Sequence, residues 1–308
     1  MTAMLLQGLS AFPITPADAE GRVDQAGLGR LLQRLVTARV DSIGLLGSTG
    51  SYPYLSRAER RGAIEQAVAL AGDIPVLAGI GALRTDEAVA LARDAFAAGA
   101  RAGLLAPVSY TPLLDDEVFS HFQAVAAASD LPLVIYDNPG TTHFSFSPAL
   151  VGRLSQLPKV VAVKGLAPAA DAVAAHLATL KAGVPDDFSV GVSGDWNAAE
   201  ALLAGAAAWY SVAGGLFPEP CLAITRAAKE GRAAEARQAD DRLQPLWAVF
   251  RRHTSLRCVY AAADILGLAD KAPPRPILPL QGEARKDVAA ALQAAGLSYA
   301  TASGCRPG

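Results

Sequence analysis

Residues 133–164 read LVIYDNPGTTHFSFSPALVGRLSQLPKVVAVK, and the fold prediction starts from this stretch. It begins with a short apolar run, Leu133–Tyr136, and ends with a second one, Val160–Lys164. Both runs have the length and the β-branched content of buried strands. Between them, Ser147–Gln156 has the apolar spacing of a helix. Two buried strands joined by a helix predict a parallel strand–helix–strand unit.

The same alternation extends outward in both directions along the chain. Six more strand-like runs occur, at Gly8–Ile14, Ser42–Leu46, Pro75–Gly79, Ala102–Leu105, Phe188–Val192 and Ala207–Val212. Further helical spacing occurs at Gln25–Ala38, Ser56–Ala71, Thr85–Ala97, Asp115–Ala128, Ala169–Lys181, Trp196–Ala204 and Glu219–Lys229. Eight strand–helix units predict an α/β fold of the (β/α)8 TIM barrel type. A doubly wound open sheet alternates in the same way and is the competing fold.

The alternation stops after Lys229. Three helices without intervening strands are predicted there, at Arg232–Arg251, Ser255–Leu266 and Glu283–Ala295. The proline-rich stretch Ala272–Leu280 is predicted to be an extended connector between the last two. We therefore divide the chain into a barrel domain, residues 1–230, and a C-terminal helical region, residues 231–308.

Composition excludes several classes of function. The 308 residues carry 27 Lys and Arg against 29 Asp and Glu, so a net charge of −2 indicates no nucleic-acid or membrane-surface partner. No apolar run is long enough to span a bilayer, and the first ten residues lack the pattern of a secretory signal. The cysteines cannot form a disulfide framework, because there are only three, Cys221, Cys258 and Cys305. A cytoplasmic location is therefore predicted.

Lys164 is the most informative single residue. It is one of only six lysines, and it ends the apolar run Val160–Val163, where a charged group is desolvated. A free lysine has a pKa of about 10.4 and is almost entirely protonated at neutral pH. Burial lowers that pKa and makes the amine a candidate nucleophile for Schiff-base formation with a carbonyl. The alternative is a lysine that extends past the strand end into solvent.

Two neighbouring strand ends carry residues suited to the same chemistry. The loop Gly47-Ser48-Thr49-Gly50 offers hydroxyls and flexible backbone amides that can cradle a small carboxylate. Its alternative is an ordinary turn. Tyr136 would place a phenol beside a lysine on the adjacent strand, where it can move protons to and from an imine. Its alternative is an aromatic ring that only packs against the barrel wall.

No metal and no cofactor are expected. Gly79-Ile80-Gly81 lacks the spacing of a dinucleotide-binding loop and is interpreted as a tight turn. Metal-ligand pairs of the HxH or HExxH type do not occur among the four histidines, His121, His143, His176 and His253.

Over nearly its whole length the sequence resembles the dihydrodipicolinate synthase and N-acetylneuraminate lyase family of class I aldolase-type lyases. This resemblance implies a TIM barrel, a lysine Schiff base with pyruvate or a related 2-oxo acid, and a homotetramer built as a dimer of dimers. The motifs that carry it are Ala11–Pro16, Gly47–Gly50 with Leu55–Arg60, Tyr136–Pro139, Val161–Lys164 and Ser193–Asp195.

The resemblance also implies individual roles. Lys164 is the Schiff-base lysine, Tyr136 is the proton-relay tyrosine, and Ser48 and Thr49 hold the keto-acid carboxylate. Tyr110 resembles a relay tyrosine that reaches across a subunit interface, although its loop is one residue longer than usual. The predicted substrate-binding set also includes Gly47 and Gly194, from two of the motifs, and Tyr210, whose backbone carbonyl would face the site.

One departure from the family pattern concerns the second substrate. Dihydrodipicolinate synthases usually carry an arginine shortly after the Tyr-x-x-Pro turn, where it binds the carboxylate of aspartate semialdehyde. Here that stretch is Gly140-Thr141-Thr142-His143. We expect Thr141, Thr142 and His143 to bind an uncharged or polyhydroxylated aldehyde instead.

The predicted function is a Schiff-base-forming lyase or aldolase that joins or cleaves a carbon–carbon bond between a 2-oxo acid and an aldehyde. Within the same family, an aldolase or dehydratase of 2-keto-3-deoxy sugar acids remains open. A catalytically silent relative that only binds a 2-oxo acid also remains open. So does an unrelated barrel chemistry, such as that of a cofactor-dependent oxidoreductase.

Overall fold

The computed structural model describes residues 6–297, so Cys305 and both chain termini lie outside the described residues. Eight parallel strands form a closed barrel in which each strand pairs with the next. Because β8 pairs with β1, from Gly8 opposite Ala208 to Ala11 opposite Ser211, the competing open sheet is excluded. The strands are β1 Gly8–Ala11, β2 Ser42–Leu45, β3 Val76–Gly79, β4 Ala102–Leu105, β5 Leu133–Tyr136, β6 Val160–Leu166, β7 Ser189–Ser193 and β8 Ala208–Ser211.

The α-helices follow the strands as predicted, with one addition. The additional element is a single helical turn, α5, at Pro139–Thr142, directly after β5. The helices before it are α1 Gln25–Ala38, α2 Arg57–Ala71, α3 Thr85–Ala97 and α4 Asp115–Ala128. Those after it are α6 Pro148–Ser155, α7 Val173–Ala182, α8 Ala198–Leu203, α9 Pro218–Lys229, α10 Ala233–His253, α11 Ser255–Ile265 and α12 Gly282–Ala294. The three predicted C-terminal helices are α10 to α12.

Local hydrogen bonds show how the sequence starts one of these helices. Ser56 precedes α2, and its hydroxyl accepts a hydrogen bond from the Glu59 backbone N–H at 3.2 Å. This contact satisfies one of the free N–H groups at the helix start. The Glu59 carboxylate does not turn back to Ser56, as a full capping box requires. It accepts from the Val23 backbone N–H at 2.7 Å and so connects α2 to the loop before α1.

The C-terminal helices share the core of the barrel. Trp209 on β8 faces outward, and its ring centroid lies 6.5 Å from that of Trp247 on α10. Both rings are fully buried and belong to the large apolar cluster between the strands and the helices. The barrel interior has its own smaller apolar cluster, which includes Leu77, Val134 and Ala162. The division at residue 230 therefore stays a prediction, since this packing crosses it.

Within residues 6–297, no helix combines the length and the apolar content that crossing a membrane would require.

Candidate active site

Lys164 lies inside the barrel, at the same level as Tyr136 on the neighbouring strand. The residue is 5% exposed, so the alternative of a lysine extending into solvent is excluded. The amine Nζ lies 3.8 Å from the ring centroid of Phe12, 4.3 Å from that of Tyr136 and 5.7 Å from that of Tyr210. These three rings form an aromatic cage around the amine.

Glycines make room for two rings of the aromatic cage. A Cβ at Gly44 would overlap the Phe12 ring, and a Cβ at Gly47 would approach it to 2.7 Å. In the same way, a Cβ at Gly191 would overlap the Tyr210 ring. The rings of Phe12 and Tyr210 also meet edge to face, with centroids 6.1 Å apart. Close packing therefore fixes both rings beside the amine.

Burial is the main influence on the charge of Lys164. It lowers the pKa of the amine, while Tyr136 and, more weakly, Asp195 act in the opposite direction. Within the described part of the chain, the amine forms no ion pair with a carboxylate. The aromatic faces attract a cation, but they do not replace the solvation that the ammonium group loses on burial. A neutral amine, which is the nucleophilic form, is therefore favoured here.

A hydrogen-bonded cluster lies beside the amine, at the ends of β5 and β2. The hydroxyls of Ser48 and Tyr136 lie 2.8 Å apart. The side-chain amide of Asn138 donates to both oxygens, at 3.2 Å to Ser48 Oγ and 3.0 Å to Tyr136 Oη. We call Ser48, Tyr136 and Asn138 the hydroxyl cluster.

The hydroxyl cluster leaves one proton available to a substrate. Each hydroxyl has one proton to donate, and the Asn138 amide nitrogen can only donate to the two oxygens. One of the two hydroxyl protons lies in the bond between Ser48 and Tyr136. The other has no partner within the cluster, so either hydroxyl can present it to a bound molecule. Such an arrangement can deliver a proton and take one back through the same pair of oxygens.

The loop that supplies Ser48 is held in an uncommon backbone conformation. Leu46 before it and Ser51 after it both have positive φ, at 58° and 53°. Non-glycine residues adopt this region at a cost on the order of 1 kcal/mol each, and such strain is often found at functional sites. Thr49 is buried within the same loop. The loop borders the aromatic cage through Ser48, whose hydroxyl lies 2.8 Å from that of Tyr136, and through Gly47, which lies against the Phe12 ring.

Thr141 and Thr142 have hydrogen-bond partners within the chain, and their contact with a substrate stays a prediction. Both hydroxyls donate to the Asn138 carbonyl, at 3.2 and 3.1 Å, because the helical turn α5 brings them back over that residue. The Asn138 carbonyl also accepts the backbone N–H groups of both threonines. Their role in the structure is thus to fix Asn138, which completes the hydroxyl cluster. His143 ends α5 with an exposed side chain and a positive φ of 57°.

The other predicted site residues lie in different settings. Tyr110 is 98% exposed and is not part of the hydroxyl cluster of its own chain. Gly194 lies at the end of β7, with a positive φ of 86°. Tyr210 contributes its ring to the aromatic cage, a contact that the sequence analysis did not predict. Burial raises the pKa of its phenol, so the ring stays uncharged.

The sequence analysis missed Phe12, Asn138 and Asp195. All three lie in motifs that the resemblance identified, but nothing local shows that Phe12 reaches the amine, that Asn138 reaches the hydroxyls or that Asp195 joins two strand ends. Asp195 is buried and accepts from Trp209 Nε1 at 2.9 Å and from the Ala213 backbone N–H at 2.8 Å. It joins the ends of β7 and β8, and so supports the barrel rim near Gly194.

Comparison with known proteins agrees with this geometry. The model of the dihydrodipicolinate synthetase family matches residues 5–295, which is most of the chain. The chain belongs to this family. It is therefore a lyase of the class I type, in which a lysine forms a Schiff base with the substrate.

Several members of the family resemble the chain over nearly their full length. A 4-hydroxy-tetrahydrodipicolinate synthase from Gluconacetobacter diazotrophicus is 33% identical over 307 residues, which cover 96% of this chain and 99% of that protein. The crystal structure of a dihydrodipicolinate synthase from Agrobacterium tumefaciens is 55% identical with a TM-score of 0.94, covering 97% of this chain and 100% of that one. A chloride-inhibited dihydrodipicolinate synthase from Acinetobacter baumannii, solved with pyruvate, is 28% identical with a TM-score of 0.87 over 95% and 99% of the two chains.

Asp137, the residue after Tyr136, makes the stability of the protein depend on pH in a way that can be tested. Burial raises the pKa of Asp137 from 3.8 to about 6, although the Phe146 backbone N–H donates to its carboxylate and opposes the shift. Between these two values, the folded chain therefore holds a proton that the unfolded chain has released. Stability is then lost as the pH rises from about 4 to 6 and stays lower above that range.

We expect Asp137→Asn to raise the free energy of unfolding by about 1–2 kcal/mol at pH 7.5, after allowance for partial solvent screening, and to have little effect at pH 4. Urea unfolding at both pH values measures this difference. Asp171→Asn, at an exposed aspartate, serves as the control and should change neither value. An equal effect of Asp137→Asn at both pH values would contradict the raised pKa of Asp137.

Proposed function

We propose that the protein uses Lys164 to form a Schiff base with pyruvate or a related 2-oxo acid, and that it makes or breaks a carbon–carbon bond to an aldehyde. The observation that carries this proposal is the buried amine in an aromatic cage, next to the hydroxyl cluster. A neutral amine, a proton donor and a loop suited to a carboxylate meet at one end of the barrel, where TIM-barrel enzymes carry their active sites.

The first half of the reaction uses all of these groups. The neutral Lys164 amine attacks C2 of the 2-oxo acid, while the loop with Ser48 and Thr49 holds the carboxylate. The resulting carbinolamine takes a proton from Tyr136 at its hydroxyl, and water leaves. This step gives an iminium cation. The ring faces of the aromatic cage attract this positive charge, which the aliphatic side chains of the barrel interior would not do. The Tyr136 phenolate then takes a proton from C3, which gives the enamine and restores the phenol.

In the second half, the enamine reacts with the partner molecule. Its C3 forms a bond to the carbonyl carbon of an aldehyde, and the aldehyde oxygen takes a proton through the hydroxyl cluster. Water then releases the product from Lys164 and regenerates the amine. The same steps in reverse cleave a 4-hydroxy-2-oxo acid.

Assays in both directions test this proposal. Pyruvate consumption with an aldehyde panel measures condensation, and pyruvate release from 2-keto-3-deoxy sugar acids measures cleavage. Turnover in either direction, together with a covalent pyruvate adduct on Lys164, is the expected result. If the protein binds pyruvate but turns over none of these compounds, it is a catalytically silent member of the family that only binds a 2-oxo acid.

We expect weak condensation of pyruvate with aspartate semialdehyde, because no arginine stands between Pro139 and Phe146. Arg84, an arginine directly before α3 that could also be considered for this role, is already paired with Asp86 through two hydrogen bonds of 2.9 and 2.7 Å. Loss of a desolvated charge-assisted contact costs about 2–5 kcal/mol. For aspartate semialdehyde, that range corresponds to a kcat/KM roughly 30- to 5,000-fold below the value of a chain that has the arginine.

Steady-state kinetics with aspartate semialdehyde and with uncharged aldehydes test this expectation. Thr141→Arg, at an exposed position of α5, is the matched variant and should raise kcat/KM for aspartate semialdehyde. If the unmodified protein already prefers aspartate semialdehyde to every uncharged aldehyde, the synthase activity of the named relatives applies here as well.

We further propose a homotetramer built as a dimer of dimers, as the family resemblance implies. Tyr110 supports an association between copies, because a tyrosine so fully exposed on one chain has a large apolar ring to bury. Sedimentation velocity over a range of concentrations is expected to give a tetramer that dissociates on dilution. A monomer at every concentration would contradict the proposal and remove any role for Tyr110 in a neighbouring site.

We place the protein in the cytoplasm. Cys221 and Cys258 support this location, since both are free thiols buried in the core. A reducing compartment is where such thiols persist.

A further inference from the structure

The strand that carries the Schiff-base lysine continues past it and exposes a leucine. Strand β6 pairs with β7 as far as Leu166, which lies opposite Ser193. Because side chains alternate along a strand, Leu166 lies on the same face as Lys164, about 7 Å nearer the barrel opening. Lys164 is buried there, whereas Leu166 is 52% exposed. An apolar side chain thus meets solvent directly above the amine.

Leu166 does not stand alone at the opening. A Cβ at Gly194 would lie 2.7 Å from Leu166 Cδ1 and 3.9 Å from Cζ2 of the half-buried Trp196. The leucine therefore lies against Gly194, with the indole ring beside it. The absence of a side chain at Gly194 is what allows this contact. We call Leu166, Gly194 and Trp196 the apolar ledge.

Two polar side chains near the apolar ledge already use their donor groups within the chain. Asn197, next to Trp196, donates its side-chain amide to the Ala167 carbonyl at 3.2 Å. The hydroxyl of Ser193 donates to the Gly165 carbonyl at 3.1 Å. Gly165, between Lys164 and Leu166, has no side chain at all. A substrate group placed on the ledge would therefore meet the carbon atoms of Leu166, Gly194 and Trp196, and it would find the donor groups of Ser193 and Asn197 already hydrogen-bonded within the chain.

We propose that the aldehyde partner is uncharged and has an apolar alkyl or aryl substituent that lies on the apolar ledge. The proposal rests on the Schiff-base function above and names the class of its second substrate. Exposed apolar surface at a site favours a ligand that buries it. A carboxylate or a chain of hydroxyls would lose water there without gaining partners. The enamine carbon adds to the aldehyde carbon, and after protonation of the oxygen the released product is a 4-hydroxy-2-oxo acid with the apolar group at C4.

The test compares four aldehydes with pyruvate: butanal, benzaldehyde, glyceraldehyde and aspartate semialdehyde. Pyruvate loss gives kcat/KM for each. We expect butanal or benzaldehyde to exceed the two polar aldehydes by at least about 10-fold, the discrimination that one or two methylene-sized contacts provide. Leu166→Ser should reduce the ratio of apolar to glyceraldehyde kcat/KM about 10-fold, mainly through KM. Leu278→Ser, at a leucine that is 63% exposed, is the matched control and should leave the ratio unchanged.

Borohydride trapping of pyruvate on the unmodified protein separates the two possible failures. If the adduct forms and glyceraldehyde or aspartate semialdehyde is preferred, the apolar ledge does not select the substrate and this inference is overturned, while the proposed function stands. The inference is also overturned if the pyruvate adduct forms but neither butanal nor benzaldehyde is turned over. If no adduct forms and no aldehyde reacts, the proposed function fails and the inference fails with it.

Discussion

Replacing Lys164 by methionine is expected to abolish turnover and to make the protein more stable. The Lys164 amine is the group placed to form the Schiff base, so kcat should fall by more than about 10⁴-fold, as for loss of other covalent nucleophiles. Methionine has a similar shape and no charge, and it suits the apolar surroundings of the aromatic cage. We expect the free energy of unfolding at pH 7 to rise by about 1–3 kcal/mol.

The pH dependence of this gain follows from the lowered pKa of Lys164. Between its folded and unfolded pKa values, the unfolded chain binds a proton that the folded chain does not. The buried lysine therefore costs stability at neutral pH, and this cost disappears as the pH rises toward the unfolded value of 10.5. The advantage of Lys164→Met should shrink over the same range.

Chemical unfolding at pH 7 and pH 10, together with a pyruvate-consumption assay, checks both parts of this prediction. Lys286→Met is the control, because that lysine is exposed and pairs with Glu283 on the surface. It should keep full activity and gain no stability. A Lys164→Met protein with normal turnover, or with lower stability than the unmodified protein, would contradict the account.

Removing one oxygen from Tyr136 is expected to have the second largest effect. Tyr136→Phe deletes the hydroxyl that lies 2.8 Å from Ser48 Oγ and accepts from Asn138. General acid–base catalysis by a placed side chain contributes about 10²–10⁴-fold, so kcat should fall within that range. The pyruvate adduct should still form, but slowly, because the nucleophile is intact and only its proton donor is missing.

Single-turnover trapping and steady-state kinetics measure the two rates for Tyr136→Phe. Tyr54→Phe is the control, at a tyrosine that is partly exposed and lies outside the hydroxyl cluster. A kcat for Tyr136→Phe within about twofold of the unmodified protein would show that the phenol moves no proton in the rate-limiting steps.

The strands and the position of the lysine could be predicted because they depend on local pattern. Apolar runs identify all eight strands, with ends that differ by up to three residues. The largest difference is at β1, predicted as Gly8–Ile14, which ends at Ala11 because the chain leaves the ladder before Pro13. Strand β6 extends two residues beyond Lys164, since Gly165 and Leu166 still pair with β7.

The contacts that complete the site could not be predicted because they join distant segments. Phe12 reaches the amine only because the closed barrel brings β1 across from β6. The hydroxyls of Thr141 and Thr142 are visible in the sequence, but the helical turn that directs them to the Asn138 carbonyl is not. The sequence pattern shows which side chains lie at the end of a strand. Their contact partners depend on how the folded chain brings distant segments together.

The most direct test of the central claim is borohydride reduction of the unmodified protein with pyruvate, followed by peptide mass spectrometry. The account predicts a single modified peptide that carries reduced pyruvate on Lys164, and none on the exposed lysines such as Lys286. The yield should rise with pH as the buried amine loses its proton. Bound pyruvate with no covalent adduct, or an adduct on another lysine, would contradict the claim.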